Sequence, residues 1–322
     1  MERSPHSAEG GTWAVSDGRA GNARQAMALA RALDAAATEQ VLAPRAPWRW
    51  CAPRLAPGAD AAFGDAFAAA LSRPPALAVG CGRQAALATR LLRGRGARVV
   101  QVLDPRLAPA HWDLVVVPEH DGLRGDNVVT MLGSLNPVDD AWLEAARARF
   151  PAIGALAAPR TALLLGGPTA HAPYDRRHFR AWLDALDAVV AHEGGALLVT
   201  ASRRTPPRYR TLLRRHCAGR AAVLWVDERD GDNPYAGLLA WADRIVCSPD
   251  SVNMVSEAAA TRAPVFVADP GLAGGRLRAF LDALAARGRI RPLDAALAPF
   301  AAEPLRETAR VAAEVRARLA PG

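Results

Sequence analysis

The chain has no lysine: all 40 basic residues are arginine, set against 32 Asp and Glu for a formal net charge of +8 over 322 residues. That absence removes chemistry. A Walker-type phosphate loop needs a lysine on the β- and γ-phosphates. PLP enzymes and Schiff-base aldolases need one as the condensing amine. The Arg and Ala bias itself has the form of GC-rich codon usage. Aromatics make up only 6% of the residues, which fits an Ala/Leu/Val-rich α/β chain better than a β-sandwich. The four cysteines (Cys51, Cys81, Cys217 and Cys247) lie far apart, with no CxxC and no His at ligand spacing. They are expected to be reduced thiols, with no metal site. No apolar run approaches the ~20 residues of a membrane span. Residues 1–11 hold no apolar leader region and are expected to form a disordered tail. These features predict a cytoplasmic chain, at most peripheral on the inner face of a membrane. The modest surplus of +8 admits an anionic ligand or an anionic membrane surface and does not call for nucleic acid.

What is present is an alternation. Short apolar runs at 12–16, 76–79, 98–104, 114–120 and 127–133 are separated by stretches of helical period at 22–33 and 84–92, and an amphipathic helix is predicted over 138–150. The pattern restarts at 161–167 and continues through runs at 196–202, 222–226, 244–248 and 264–268. Helices are predicted over 176–192, 209–216, 252–261, 276–286 and 304–319. Strands of this fully apolar kind, alternating with helices, imply parallel sheets. The fold class is therefore α/β with two Rossmann-like domains facing across a cleft, at 12–150 and 151–322, the last helix crossing back.

In open parallel sheets ligands bind beyond the carboxyl ends of the strands, where helix N-termini offer free N–H groups. Several strand ends here are chemically dense. SDGRAGNARQ (16–25) sets Gly18 and Gly21 around Arg19, an arrangement able to approach an anion, although an Asp-Gly turn accounts for it equally well. GCGRQA (80–85), with Gly82 and Arg83, matches a dinucleotide fingerprint and has Asp104 about 20 residues on. The fingerprint normally opens its domain, and here a strand and a helix precede it. VPEHDGLRGDN (117–127) places Glu119 beside His120, a pair suited to general-base work near neutral pH. LLLGGPTAH (163–171) offers Gly166 and Gly167 as a pyrophosphate cradle, and VTASRRTPP (199–207) ends in Ser202, Arg203 and Arg204. In CSPDSVNMVSEAAA (247–260) either Asp250 or Ser251 can cap a helix whose first N–H groups suit a phosphate. Glu257 lies about 9 Å further along the axis, an offset that suits a ribose.

Taken together with VQVLDPRLAP, DNPYAGLLAWADRIVCSPDSVNMVSEAAATRAPVFV and RGRIRPLD, these segments resemble the mitochondrial-fission family of elongated-mitochondria type, from about Trp13 to Asp294. The resemblance implies a fold similar to GT-B glycosyltransferases, with a nucleotide-sugar site mainly in the second domain. On that basis Gly166 and Gly167 face the diphosphate, Ser202 and Arg203 approach phosphate or base, Ser251 binds phosphate and Glu257 holds the ribose. Two segments depart from the family pattern. GGPTAHAPYD stands where Ser- or Lys-bearing versions are usual, and GSLNPV (133–138) lacks the His of GALHRV. The second departure puts a family-wide catalytic His at that place in doubt.

The leading expectation is a metal-independent GT-B-like glycosyltransferase of bacterial cell-envelope glycan metabolism. It takes a nucleotide-diphosphate sugar as donor substrate, needs no cofactor, and has Glu119, His120 or Asp17 as base. The loops carrying Gly18, Arg19, Gly21, Asn22, Gly82 and Arg83 are assigned to an acceptor, lipid-linked where the chain works at a membrane, or to an anion. Alternatives are a nucleotide-sugar epimerase, a non-catalytic division adaptor, and NAD binding through 80–85. The arginines of the last helix (Arg306, Arg310, Arg316 and Arg318) suit either an anionic lipid surface or, more simply, a solvated face.

Overall fold

The computed structural model describes residues 10–320, so most of the expected tail lies outside the described residues. Gly10, at its inner end, already accepts a hydrogen bond from the Ala76 N–H at 3.0 Å. The chain forms β1 (Thr12–Ser16), α1 (Ala20–Leu33), β2 (Thr38–Val41), α2 (Trp48–Cys51), α3 (Asp65–Ala70), β3 (Leu77–Cys81), α4 (Arg83–Arg93), β4 (Arg98–Val102), β5 (Leu114–Pro118) and β6 (Val128–Met131). There follow α5 (Asp140–Arg149), α6 (Pro151–Gly154), β7 (Arg160–Leu165), α7 (Arg176–Glu193), β8 (Ala196–Ala201), α8 (Pro207–Cys217), β9 (Val223–Trp225), α9 (Tyr235–Trp241) and β10 (Arg244–Cys247). The series ends with α10 (Val252–Ala259), β11 (Val265–Val267), α11 (Gly275–Ala286), β12 (Ile290–Pro292) and α12 (Glu307–Leu319).

The residues divide into two compact units, Met1–Pro137 with Glu307–Gly322, and Val138–Arg306. Each holds one six-stranded sheet, in the orders β2-β1-β3-β4-β5-β6 and β12-β11-β10-β7-β8-β9. Every pairing is parallel. The second order, read from β9, is the doubly wound 3-2-1-4-5-6. The first is the related 2-1-3-4-5 order with one strand added. The parallel α/β expectation is thereby met.

Successive residues of the first sheet feed opposite cores, which is why its strands read as unbroken apolar runs. Val15, Ala78, Val99 and Val115 pack with Leu87, Leu92 and Trp112 on one face. Ala14, Val79, Val100 and Val116 pack with Leu29, Val311 and Val315 on the other. In the second sheet Leu163, Val199, Val246 and Phe266 meet Phe179, Trp182, Leu186 and Tyr209.

Sequence periodicity misses two strands, and both are edges. β2 (TEQV) is largely exposed, and β12 (IRP) buries only Ile290. An edge strand with so little buried surface carries no apolar run to detect. The helix α5, grouped on sequence grounds with the first domain, lies in the second unit, where Arg147 Nε donates to the Ala240 carbonyl of α9 at 3.0 Å.

The last helix belongs to the first unit and is fastened at its start. The Leu132 N–H donates to Glu307 Oε2 at 2.8 Å, the Asn136 N–H donates to Thr308 Oγ1 at 3.0 Å, and Thr308 Oγ1 donates to the Asn136 carbonyl at 2.7 Å. Its arginines are committed within the protein. Arg310 meets Glu307 and the Thr130 carbonyl, Arg316 the Ala32 carbonyl, and Arg318 Glu314 and the Asp126 carbonyl. Arg306 precedes the helix and pairs with Asp140 at 2.6 Å. Among the described residues no helix is long and apolar enough to cross a membrane. Because Glu307 holds both a backbone N–H and Arg310, Glu307→Ala is expected to cost about 1–3 kcal/mol. Urea denaturation of the variant, read by far-ultraviolet circular dichroism, measures that loss.

Candidate functional site

A doubly wound sheet opens a crevice where its strand order reverses, because the loops on either side leave in opposite directions. In the first sheet that point lies between β1 and β3, and in the second between β7 and β10. The densest loops of the sequence fall at these two points.

At the first, Asp17 accepts from the Arg19 N–H at 3.1 Å and from Asn22 Nδ2 at 3.0 Å, with the Arg19 guanidinium 3.5 Å away. Asn22 in turn accepts from the Cys81 thiol at 3.8 Å. Burial, and then the charge of Asp17, hold that thiol above its usual pKa range. Gly82, at φ +90°, approaches so closely that a Cβ there would stand 2.5 Å from Asn22 Nδ2. The structure thus gathers Asp17, Gly18, Arg19, Asn22 and Gly82. Gly21 uses its carbonyl to accept from Gln25 Nε2 at 3.4 Å, and exposed Arg83 reaches outward to the Arg49 carbonyl at 3.4 Å. Glu119 and His120 stand elsewhere, on the turn after β5. That is three strand spacings from β1, or about 14 Å along the sheet edge.

The fingerprint-like 80–85 segment has a packing explanation. A Cβ on Gly80 would lie 2.6 Å from Thr89 Cγ2 and 2.9 Å from Gln101 Oε1, and Ala85 is buried. Asp104 spends its carboxylate on its own turn, accepting from the Arg106 N–H at 2.8 Å and pairing with the Arg106 side chain at 3.3 Å. The dinucleotide reading gains no support from these contacts.

At the second reversal the Gly-Gly turn after β7 is already occupied by protein. The Gly166 N–H donates to Ser248 Oγ at 2.8 Å and the Gly167 N–H to Asp250 Oδ2 at 3.1 Å. A Cβ on Gly166 would stand 2.0 Å from Asp250 Oδ2, and one on Gly167 2.3 Å from the Arg204 carbonyl oxygen. The glycines therefore supply room for Asp250 rather than free donors. The Asp250 side chain is fully buried. It also accepts from Ser248 Oγ at 2.6 Å, Tyr174 Oη at 3.3 Å and Arg204 Nη2 at 2.9 Å. Burial, and then the neighbouring Asp250 charge, push the Tyr174 hydroxyl well above its usual pKa.

The loop after β8 is folded by its own hydroxyls. Thr205 Oγ1 donates to the Gly166 carbonyl at 2.5 Å, the Ser202 N–H donates to Thr205 Oγ1 at 3.1 Å, and the Arg204 N–H donates to Ser202 Oγ at 3.1 Å. Arg210 ties the loop from behind, donating to the Thr205 and Arg203 carbonyls at 2.8 and 2.9 Å. Beside it, Arg203, Trp225 and Asp227 line a cavity of about 400 Å³ at the ends of β8 and β9. The Arg229 guanidinium, 2.9 Å away, holds the Asp227 carboxyl well below the usual carboxylate range.

Of the two capping candidates for α10, Ser251 caps, its Oγ accepting from the Met254 N–H at 3.4 Å. Two turns on, Glu257 is buried and its Oε2 accepts from Tyr235 Oη at 2.5 Å. The far end of the helix is held by Arg289, a buried side chain. It donates to the carbonyls of Ala259 (2.8 Å), Ala258 (3.2 Å), Thr261 (2.7 Å) and Ala263 (3.1 Å). Burial pulls Arg289 down to about 10, still protonated at neutral pH. A cation at a helix C-terminus opposes the partial negative charge there.

Sequence reasoning missed Tyr174, Ser248, Thr205, Tyr235 and Arg289. All stand inside motifs already singled out, but each makes a bond that reaches 22 or more residues along the chain. Among the described residues no group of three His, Cys, Asp or Glu side chains is disposed to hold a metal ion.

The family model for mitochondrial fission ELM1 matches residues 20–319. The chain belongs to that family. It is 28% identical over 277 residues to mitochondrial fission protein ELM1 of Arabidopsis thaliana, covering 76% of this chain and 64% of the plant protein. It is 22% identical over 236 residues to uncharacterized protein RP120 of Rickettsia prowazekii (strain Madrid E), covering 61% and 65%. The match thus spans less than two thirds of either relative's length. The structure is similar to UDP-GlcNAc 2-epimerase from Methanocaldococcus jannaschii (TM-score 0.57, 12% identity, 95% of this chain and 99% of that one). It is also similar to S. aureus MnaA in its co-structure with UDP (TM-score 0.50, 12% identity, 96% and 97%). At such identity the likeness is one of fold, the GT-B type that the family resemblance implies.

Two outcomes follow from the Asp250 cluster. Gly166→Ala must displace the Asp250 carboxylate and is expected to cost about 1–3 kcal/mol in chemical denaturation. Because the Tyr174 pKa is raised on folding, its contribution to stability is intact below the unfolded tyrosine value near 10 and is lost as pH rises beyond it. Denaturation midpoints measured across that range should fall, and less steeply in Tyr174→Phe.

Proposed function

We propose that the second unit binds a nucleoside-diphosphate sugar at the β7/β10 reversal, and that the chain is a glycosyltransferase-type protein of bacterial cell-envelope glycan metabolism. The observation that carries this reading is α10. A serine-capped helix N-terminus stands at the sheet reversal, with a buried carboxylate two turns along it held by a tyrosine. The first N–H groups of such a helix suit a phosphate. The Glu257 carboxylate, with Tyr235 on one oxygen, suits a ribose diol. The diphosphate takes the Ser251 end, Arg203 supplies cationic charge in place of lysine with half-exposed Arg204, itself paired with Asp250, beside it, and the cavity beside Arg203 and Trp225 takes the base. Arginine and the helix N-terminus then stabilise the departing nucleoside diphosphate, as preorganised donors do wherever negative charge develops.

The first unit takes the acceptor, with the Gly18, Arg19, Gly21, Asn22, Gly82 and Arg83 loops around it. Asp17 is the base that stands at the first reversal. Glu119 and His120, further along the edge, are the competing bases that mutagenesis separates from it.

Titration calorimetry with UDP, GDP, ADP and CMP sugar conjugates tests the reading. At least one should bind, and Glu257→Gln, which keeps an acceptor for Tyr235, should weaken that binding about tenfold or more. No binding to any conjugate, together with no effect of Glu257→Gln, would sink the proposal. Turnover of the sugar without acceptor, seen by proton NMR, would move it to an epimerase. A partner retained by a Ser251→Ala/Glu257→Gln double variant that binds no nucleotide would move it to an adaptor.

A further inference from the structure

The three large apolar side chains that stand exposed among the described residues all come from one stretch. They are Val41 (59% exposed), Trp50 (67%) and Leu55 (50%). The same stretch is basic. Between Leu42 and Ala59 there are three arginines (Arg45, Arg49 and Arg54) and no acidic residue. All three arginines are exposed, and among the described residues no ion pair engages them. This contrasts with the arginines of the last helix, which are spent on carboxylates and backbone carbonyls.

The stretch is held firmly in place. Trp48 Nε1 donates to the Pro57 carbonyl at 3.0 Å, Arg90 Nη1 donates to the Pro53 carbonyl at 2.8 Å, and the Arg45 N–H donates to the Ala62 carbonyl at 2.7 Å. Trp48, Leu42 and Phe63 face the core, so Trp50 and Leu55 are left outside a fixed scaffold. The stretch also borders the first reversal. The Leu42 N–H donates to the Ser16 carbonyl at 2.8 Å, Arg83 reaches the Arg49 carbonyl, and Val41 Cγ1 lies 3.1 Å from where a Cβ on Gly18 would be.

An exposed Trp and Leu in one stretch with three exposed arginines, one of them stacked over the indole at 5.9 Å, is the chemistry of a surface that seats in the headgroup layer of an anionic bilayer. The indole lies at the interface and the guanidinium groups meet lipid phosphates. We propose that residues 41–55 dock the first unit on an anionic membrane surface, with the β1/β3 loops beside the bilayer. Charge selects this occupant: a patch carrying three unpaired cations repels a second copy of itself. The docking stands independently of the nucleotide-sugar reading. Its consequence, that the acceptor is delivered to the Asp17 loop on a lipid carrier, rests on that reading.

Co-sedimentation of the full chain tests it. The probes are vesicles of phosphatidylcholine alone and vesicles of phosphatidylcholine and phosphatidylglycerol in equal parts. Binding is expected only to the anionic vesicles, with a blue shift of tryptophan emission. Replacing Trp50 and Leu55 by Ser should weaken it about tenfold or more, and each of Arg49→Gln and Arg54→Gln about fivefold. These side chains are exposed, so thermal denaturation should leave the variants at the wild-type midpoint. Arg316→Gln is the control in the last helix and should bind like wild type. Equal binding by the Trp50/Leu55 variant would overturn the proposal. So would a wild-type dimer, seen by light scattering, that the same substitutions dissolve. Nucleotide titration without vesicles reads the other proposal separately.

Discussion

The second unit is organised around one buried carboxylate. Asp250 has no exposed side-chain surface, so its charge must be met by donors inside the protein, and four of them meet it: the Gly167 N–H, Ser248, Tyr174 and Arg204. Those donors come from the turn after β7, the strand end of β10, the segment before α7 and the loop after β8. One charge therefore fixes the positions of loops that leave the sheet in opposite directions. Removing it would leave the buried Ser248 and Tyr174 hydroxyls and the Gly167 N–H without that acceptor, which costs more than any one of the bonds contributes. The Gly-Gly turn follows from the same constraint, since its two Cβ positions are filled by the carboxylate and by the Arg204 carbonyl.

The helix next to that carboxylate is treated asymmetrically. At its start Ser251 satisfies one backbone N–H, that of Met254. At its end Arg289 gathers four carbonyls of α10 and the turn that follows it. A lysine could not do this, because its ammonium is a point donor, whereas the planar guanidinium presents several N–H groups in fixed directions. Here the all-arginine composition stops being only a genomic habit. Arg244 shows the same use at the opposite end of β10, buried between Thr161 and Glu193. Substituting lysine at either place would retain the charge and lose the fork.

How much of this could be read from the sequence depended on the range of the interaction. Ten of the twelve strands among the described residues announced themselves, because a strand buried on both faces must be continuously apolar, and β2 and β12 escaped notice because edges need not be. The loops at the two reversals were found because glycine, hydroxyl and arginine residues cluster at strand ends in the sequence itself. What those residues do was harder to see. Gly166 and Gly167 look like a phosphate cradle until the partner of each N–H is known, and that partner lies more than eighty residues away. Tyr235 and Glu257 sit in one quoted segment, yet nothing in their spacing announces a 2.5 Å bond. Glu119 and His120 form a convincing pair in one dimension and stand far along the edge from Asp17 in three. Local pattern identifies which loops matter, and only the strand order shows which loops meet.

The two reversals, built on closely related topologies, have been given opposite surroundings. Around Asp250 most cations are taken up, since Arg204 holds the carboxylate, Arg210 ties carbonyls and Arg229 holds Asp227, while Arg203 stays exposed. Around Asp17 the cations face outward. Arg19 is largely exposed despite its ion pair, and among the described residues the neighbouring Arg45, Arg49 and Arg54 have no carboxylate partner beside an uncovered Trp50. Arg49 stacks its guanidinium over Trp50 at 5.9 Å, and the indole is otherwise left largely uncovered by the fold, at a cost in exposed apolar surface. They make physical sense when the missing partner is external, anionic and partly apolar. The second reversal thus spends most of its cations on internal carboxylates and carbonyls, and the first leaves its cations at the surface.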